Sequence, residues 1–112
     1  MLFMHGENIL RIILINEAFC VLKNAGLVTT ESDFCQDFLG TSEGYIRQLR
    51  FKKTEPSIRS IAVLGSRLQK AGEQMLSSPQ FRPLGLKFIA LSEKCHELVN
   101  EDALALELAE RA

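Results

Sequence analysis

Two short breaks divide the middle of the chain into helical segments. The first reads LGTSEGYIR over residues 39–47, and the second reads TEPSIRS over residues 54–60. Glycine adopts a positive φ without steric cost, and serine is a preferred helix N-cap residue. Breaks this short join helices that pack against each other. We therefore expect Gly40 to end one helix, Ser42 to cap the next and Ser57 to cap the third. The three predicted helices cover about residues 31–39, 43–51 and 58–76.

Apolar side chains at helical spacing predict one more helix on each side of this middle part. The first covers about residues 7–25, and Gly26 is placed to end it in a left-handed conformation. It is apolar around most of its surface, so we expect it to be buried on more than one side. The last begins at Pro83 and can run to the end of the chain, with room for a break at residues 100–102. No strand pattern is visible, which predicts an all-α, compact bundle of about five helices with a long C-terminal helix.

Length and hydropathy limit the class of protein. A chain of 112 residues with 46% hydrophobic residues predicts one domain with a real core. Within it we expect a functional core over residues 1–78 and a C-terminal helical extension over residues 79–112. The apolar run 9–15 contains Arg11 and is too short to span a bilayer, and no basic segment typical of a signal peptide precedes it. We therefore expect a cytoplasmic protein with no membrane partner.

The basic residues are concentrated in the middle of the chain. The formal net charge is −1, so no overall field attracts nucleic acid. Residues 41–70, however, hold seven basic and two acidic side chains, a net charge of +5, whereas residues 1–40 and 71–112 each carry −3. This distribution predicts a local basic surface between acidic flanks.

The residues that could carry catalysis or bind a metal do not form a recognisable set. Cys20, Cys35 and Cys95 are far apart and no CxxC spacing occurs, which favours reduced, buried thiols over a disulfide framework or a zinc site with His96. No serine, histidine and acid are placed for nucleophilic work, and no glycine-rich phosphate loop follows a strand. We therefore expect no enzyme, no cofactor and no small-molecule ligand.

The two breaks and the helices around them resemble the lambda-repressor-like helix-turn-helix family, also called Cro-type or XRE. The most specific motifs are the turn LGTS and the segment TEPSIRSIAVLGSRL, which is similar to the family's loop proline and closing helix. The resemblance covers about residues 7–70. It implies that the helix after LGTS enters the DNA major groove. It also implies a small bacterial or phage-type transcriptional regulator that binds double-stranded DNA as a homodimer.

The resemblance also assigns roles to residues around the turn. Ile46 and Leu49 would face inward and hold the second helix, and Tyr45 is expected to be a packing aromatic with its hydroxyl at the rim. Arginine can contact guanine through two hydrogen bonds and glutamine can contact adenine in the same way. The residues at base-reading positions are Glu43, Gly44, Arg47 and Gln48. The residues expected to contact phosphates are Ser32, Arg50, Lys52 and Lys53.

Three residues of the preceding helix depart from the family pattern and support an alternative. Gln36 stands where the family prefers a small alanine, and Asp33 and Asp37 lie where phosphates would pass. These residues favour a helical protein–protein interaction module that keeps the fold without binding DNA. The choice depends on whether Arg47 and its basic neighbours share one face that is clear of acids.

The C-terminal helix carries apolar residues at heptad-like spacing. Alternating steps of four and three residues are typical of a helix that packs along another helix. The residues expected to form a dimer interface are Phe88, Leu91, Cys95 and Leu98. The alternative is that this helix packs back on the first helix of the same chain, and both can hold at once.

Overall fold

Five helices joined by short loops form most of residues 6–111, which the computed structural model of the chain describes. No strand occurs within these residues, so the all-α fold class is confirmed. The long C-terminal helix is confirmed, and each predicted helix is found within two residues of its expected ends. The helices are α1 (Gly6–Asn24), α2 (Glu31–Phe34) with a π-helical continuation (Cys35–Leu39), α3 (Tyr45–Lys52), α4 (Ile58–Leu76) and α5 (Arg82–Arg111).

Three of the four predicted helix ends are confirmed. Gly26 and Gly40 have φ angles of 79° and 64°, in the left-handed region that glycine tolerates. The Ser57 hydroxyl accepts a hydrogen bond from the Ser60 backbone and caps α4. The expected cap at Ser42 is wrong, because α3 begins later and its N-cap residue is Gly44, which has no side chain to accept a bond.

The helix before the turn widens over its last five residues. Over Cys35–Leu39 the backbone makes π-type turns, and the Gly40 N–H donates to the Cys35 carbonyl. Arg67 of α4 donates to the Gln36 and Asp37 carbonyls at 3.1 and 2.9 Å. These bonds satisfy backbone oxygens near the helix end, where regular helical partners run out. We call α2 and this continuation together, residues 31–39, the leading helix.

α4 and α5 approach each other closely along a line of glycines. A Cβ atom added to Gly72 would lie 2.8 Å from the Gly85 carbonyl oxygen, and one added to Gly85 would lie 2.8 Å from that of Gly72. A Cβ on Gly65 would meet that of Cys95 at the same distance. Because backbone meets backbone here, α5 is fixed against α4 and buries Phe88 between them.

The position of α5 requires corrections to what was expected of the C-terminal segment. Phe88, Leu91 and Cys95 are 0–3% exposed in the core of the single chain, so they cannot serve as a free dimer surface, and only Leu98 is half-buried. The long helix does pack back on its own chain, mainly on α4 and to a smaller extent on α1, as the alternative predicted. No break occurs at residues 100–102, and α5 continues to Arg111.

Arg11 connects three parts of the fold. Its guanidinium donates to the Pro56 carbonyl at 3.0 Å and to the Asp102 carboxylate at 3.2 Å, and it lies 3.3 Å from Glu55. The residue is only 9% exposed, and Pro56 is fully buried. These contacts hold three parts of the protein together: α1, α5 and the loop that precedes α4. One carboxylate oxygen of Glu55 is buried and has no hydrogen-bond partner among the described residues.

Candidate nucleic-acid interface

α3 lies on the surface, against the core along one side only. None of its residues is fully buried, but Ile46 and Leu49 are half-buried and line a groove with Ile12 and Ile15 of α1. The inward orientation predicted for Ile46 and Leu49 is therefore confirmed. The left-handed Gly40 reverses the chain after the buried Leu39, so α3 follows the leading helix across a short turn. The leading helix and α3 are thus two short helices joined by a turn that contains glycine.

The outer face of α3 presents polar side chains and one large apolar side chain. Arg47 and Gln48 are both exposed, as expected. Phe51 shares their face, since residues three and four apart on a helix are neighbours, and it is 87% exposed. Sequence reasoning missed Phe51, although its position away from the inward residues Ile46 and Leu49 indicates an outward side chain.

Glu43 and Gly44 are in the turn and not in the helix. Glu43 is exposed, whereas Gly44 is half-buried and is the residue immediately before α3. A Cβ atom on Gly44 would lie 3.1 Å from the Arg47 guanidinium. Gly44 therefore leaves room for Arg47 near the start of α3. Three of the four expected base-reading residues, Glu43, Arg47 and Gln48, are exposed around this end of the helix.

The Arg50 side chain is engaged within the protein. Its guanidinium donates to both carboxylate oxygens of Glu31, at 2.7 and 3.0 Å. This two-bond pair links α3 to the start of the leading helix. The pair lies at the surface, with the two side chains 59% and 43% exposed. The phosphate contact expected of Arg50 therefore stays a prediction that must compete with Glu31, and the basic side chains around α3 are not clear of acids.

Tyr45 ties the start of α3 to the start of α4. The Ser57 backbone N–H donates to the Tyr45 hydroxyl oxygen at 2.9 Å, and the Tyr45 O–H donates to the Ser57 hydroxyl at 3.2 Å. Burial raises the pKa of this phenol, but hydrogen bonds with Ser57 and Ser60 lower it by more, so the pKa lies below its usual value. The prediction that Tyr45 packs at the rim is confirmed.

The other three residues expected at phosphates differ in their surroundings. Lys52 is exposed in the last turn of α3, and no ion pair engages it among the described residues. Lys53 follows with a φ of 54° and lines the groove beside α1, to one side of the outer face. Ser32 is half-buried in the first turn of the leading helix, where Thr30 and not Ser32 is the N-cap residue.

Two arginines of α4 flank the turn and were not predicted as site residues. Arg59 donates to the Gly40 carbonyl at 3.5 Å, and Arg67 donates to carbonyls at the end of the leading helix. Both are exposed, so they place positive charge beside the turn. The only signal in the sequence was the basic balance of residues 41–70.

Three residues of the leading helix favoured a protein–protein interaction module over DNA binding, and the structure directs only some of them away from the turn before α3. Asp33 accepts hydrogen bonds from the Thr29 and Thr30 backbone N–H groups at 3.2 and 3.3 Å, which hold its carboxylate over the start of α2. Gln36 is exposed, so its amide is not wedged between the leading helix and α3. Asp37 is exposed and brings negative charge near the turn.

Other kinds of site receive no support from the described residues. Cys35 and Cys95 are buried and Cys20 is exposed, and no three metal-ligating side chains cluster in this part of the chain. Burial raises the pKa of Cys95 to about 12. None of the described helices combines the length and apolar character needed to cross a membrane.

Comparison with models of protein families gives a match over most of the chain. Residues 15–108 match a family of unknown function, DUF6626. The match covers α3, the turn before it and most of α5. No curated protein and no solved structure matches the chain.

Proposed function

Because the chain belongs to the DUF6626 family, whose description assigns no activity, we propose a function from its surface: a bacterial or phage-type, sequence-specific DNA-binding regulator that acts as a dimer. The observation that carries the proposal is the outer face of α3, where Arg47 and Gln48 are exposed on a short helix held by a glycine turn. A helix of this kind fits the major groove, and residues near its N-terminus reach base edges.

Arg47 reads a guanine and Gln48 an adenine in this proposal, with Glu43 and Gly44 at the same end of α3. Lys52 contacts a phosphate at the other end of the helix, and Arg59 and Arg67 approach phosphates beside the turn. Phosphate contacts orient the protein on the duplex, and base contacts select the sequence. Ser32 and Lys53 remain candidates for phosphate contact from the two sides of α3.

The alternative function, a protein–protein interaction module, is favoured by Phe51. A phenylalanine that is 87% exposed beside Arg47 and Gln48 could anchor a partner protein, since aromatic and arginine residues dominate binding energy at such interfaces. On DNA the same ring would contact the methyl group of a thymine. The two functions therefore differ in what Phe51 recognises.

A salt titration on a duplex selected from random sequence tests the proposal. We expect Lys52→Ala to lower the slope of log affinity against log salt by about 1, because one fewer counterion is released. Lys87→Ala, an exposed lysine of α5, is the matched control and should leave the slope unchanged. Arg47→Ala should cost about 1–3 kcal/mol and relax the preference at one base pair. Failure to enrich any duplex at low salt would exclude the DNA function.

Replacing single thymines of the selected duplex by deoxyuridine then tests Phe51. The replacement removes only a methyl group, which is worth about 0.8 kcal/mol when buried. At the thymine that Phe51 contacts, the wild type should lose this energy and Phe51→Ala should not. If no thymine couples to Phe51, its exposure requires a partner other than DNA.

A further inference from the structure

The outer face of α1 is apolar and exposed. Ile9, Leu10, Ile12 and Ile13 are 42–53% exposed, while the opposite face of the helix fills the core. A helix that is apolar on all sides is normally buried on all sides. The sequence predicts such burial for α1, and the described residues supply it on one side only.

The end of α5 is a second apolar surface. After Asp102, every residue from 103 to 111 is exposed, and Leu104, Leu106 and Leu108 are 59–65% exposed. Nine residues extend a helix by about 13 Å. The segment continues a helix that is already formed, so its helicity needs no partner, but several large apolar side chains exposed together are typical of an interaction surface. The leucines therefore indicate a surface that another element covers.

The two segments are adjacent where α1 meets α5, and Ala105, which contacts this junction, lies between Leu104 and Leu106 in the chain. Leu10 and Ile13 of α1 line one groove with Leu98 and Glu101 of α5, and Arg11 lines the next groove with Ala105. Seven of the eleven large apolar side chains exposed among the described residues belong to these two segments. We call them the apolar patch: Ile9, Leu10, Ile12, Ile13, Leu104, Leu106 and Leu108.

We propose that the apolar patch is covered by the same patch of a second copy of this chain. Each of its side chains offers on the order of 80–100 Å² of apolar surface, so the seven together offer about 600 Å². A stable interface needs about 800 Å² from each partner. The exposed alanines of the same segment, Ala103, Ala105 and Ala109, add to the area of the patch. In a two-fold dimer one patch faces itself, so a single apolar surface is sufficient.

Charge argues against a lipid surface as the occupant. The end of α5 carries Glu101, Asp102, Glu107 and Glu110 against Arg111. Anionic headgroups would repel this end, since membrane association relies on basic residues. The sequence before α1 begins MLFMH, so residues 1–5, outside the described residues, are the other occupant that an experiment must separate from a second copy.

The inference rests on the dimer of the proposed function and replaces the surface first expected for it. α3 contributes no residue to the patch, so the association can be measured without DNA. A monomer that still binds DNA would exclude this inference alone, and a dimer that selects no duplex would exclude DNA binding alone.

Sedimentation from 1 to 100 µM, with three matched variants, tests the proposal. We expect the wild type to be a dimer, and Ile13→Glu and Leu104→Glu each to weaken association by about 100-fold or more, because each buries two charges per dimer. Leu86→Glu, which changes a 50% exposed leucine of α5 outside the patch, should remain dimeric. Circular dichroism checks that all variants are folded.

Hydrogen exchange gives a second readout, which separates the association of two chains from a local structural change caused by a substitution. Amides of residues 103–111 should be protected at 100 µM and exchange rapidly at 1 µM, and Ile13→Glu on α1 should remove the protection. A wild type that is monomeric at 100 µM would overturn the proposal, as would a dimer unaffected by both patch variants. A monomer that dimerises only when residues 1–5 are deleted would assign the patch to those residues instead.

Discussion

Removal of the Arg11 side chain should destabilise the fold more than any other single loss of charge among the described residues. Arg11→Ala leaves the buried Pro56 carbonyl without its donor and leaves Glu55 and Asp102 without their cation. Breaking a fully buried ion pair costs about 3–5 kcal/mol. The Glu55 and Asp102 side chains are 37% and 31% exposed, so water screens part of the loss. We therefore expect a loss of about 2–3 kcal/mol.

Urea unfolding followed by circular dichroism measures this loss. With a slope of about 1.5 kcal/mol per molar urea, the midpoint should fall by about 1.5 M. Arg11→Lys should recover only part of the stability, because an ammonium group cannot span acceptors on both sides as a guanidinium does. Asp102→Asn should cost less and should couple to Arg11→Ala in a double-mutant cycle.

Lys94 supplies the matched control for Arg11. It also joins α5 to α1, by an ion pair with Glu17 at 3.4 Å, but the two side chains are 57% and 43% exposed. Lys94→Ala should therefore change stability by less than about 0.5 kcal/mol. Equal losses for Lys94→Ala and Arg11→Ala, or no coupling between Arg11 and Asp102, would refute the argument from burial.

Two further predictions concern the contact between α4 and α5. Gly72→Ala places a methyl group 2.8 Å from the Gly85 carbonyl oxygen. Although alanine favours helix, we expect the free energy of unfolding in urea to fall by about 1–3 kcal/mol. A variant of equal or greater stability would contradict the close approach of the two helices. Folding raises the pKa of Cys95 from 9.0 to about 12, so the thiol loses its proton at lower pH in the unfolded chain than in the folded one. The protonated thiol therefore contributes fully to the free energy of unfolding below about pH 9, and this contribution is lost as the pH rises toward 12. Between pH 8 and 10 the wild type should lose about 1.4 kcal/mol more than Cys95→Ala, and equal losses would exclude this linkage.

The helices could be predicted from the sequence because their limits are local. Gly26, Gly40 and Ser57 act through their own backbone or side chain, so their effect does not depend on distant residues. The cap expected at Ser42 failed because its carbonyl, and not its hydroxyl, accepts the hydrogen bond from the N–H of Tyr45, the first residue of α3. The π-helical turns were not predictable either, since the Arg67 bonds that stabilise them come from 30 residues away.

The partner of α5 could not be chosen from its own periodicity. Heptad-like spacing predicts that one face of a helix is covered, and the covering helix can belong to the same chain or to another. The distinguishing residues were Gly72 and Gly85, because small residues at corresponding places on two helices let their backbones meet. The exposed leucines after Asp102 show the complementary case, where apolar residues continue beyond the last internal partner.

The orientation of α3 depends on contacts within the protein. Arg50 is held by Glu31, Tyr45 by Ser57, and the loop after α3 by Arg11 through Pro56. If α3 enters the major groove as proposed, these three links bear on recognition too, because an error of about 1 Å in the position of a helix is enough to break a directional contact. The residues exposed on the outer face of α3 would therefore not define the preferred DNA sequence by themselves. The chain must also keep the interior contacts that orient this face. These contacts link α3 to the leading helix and to α4, and they link α1 to α5 and to the loop before α4.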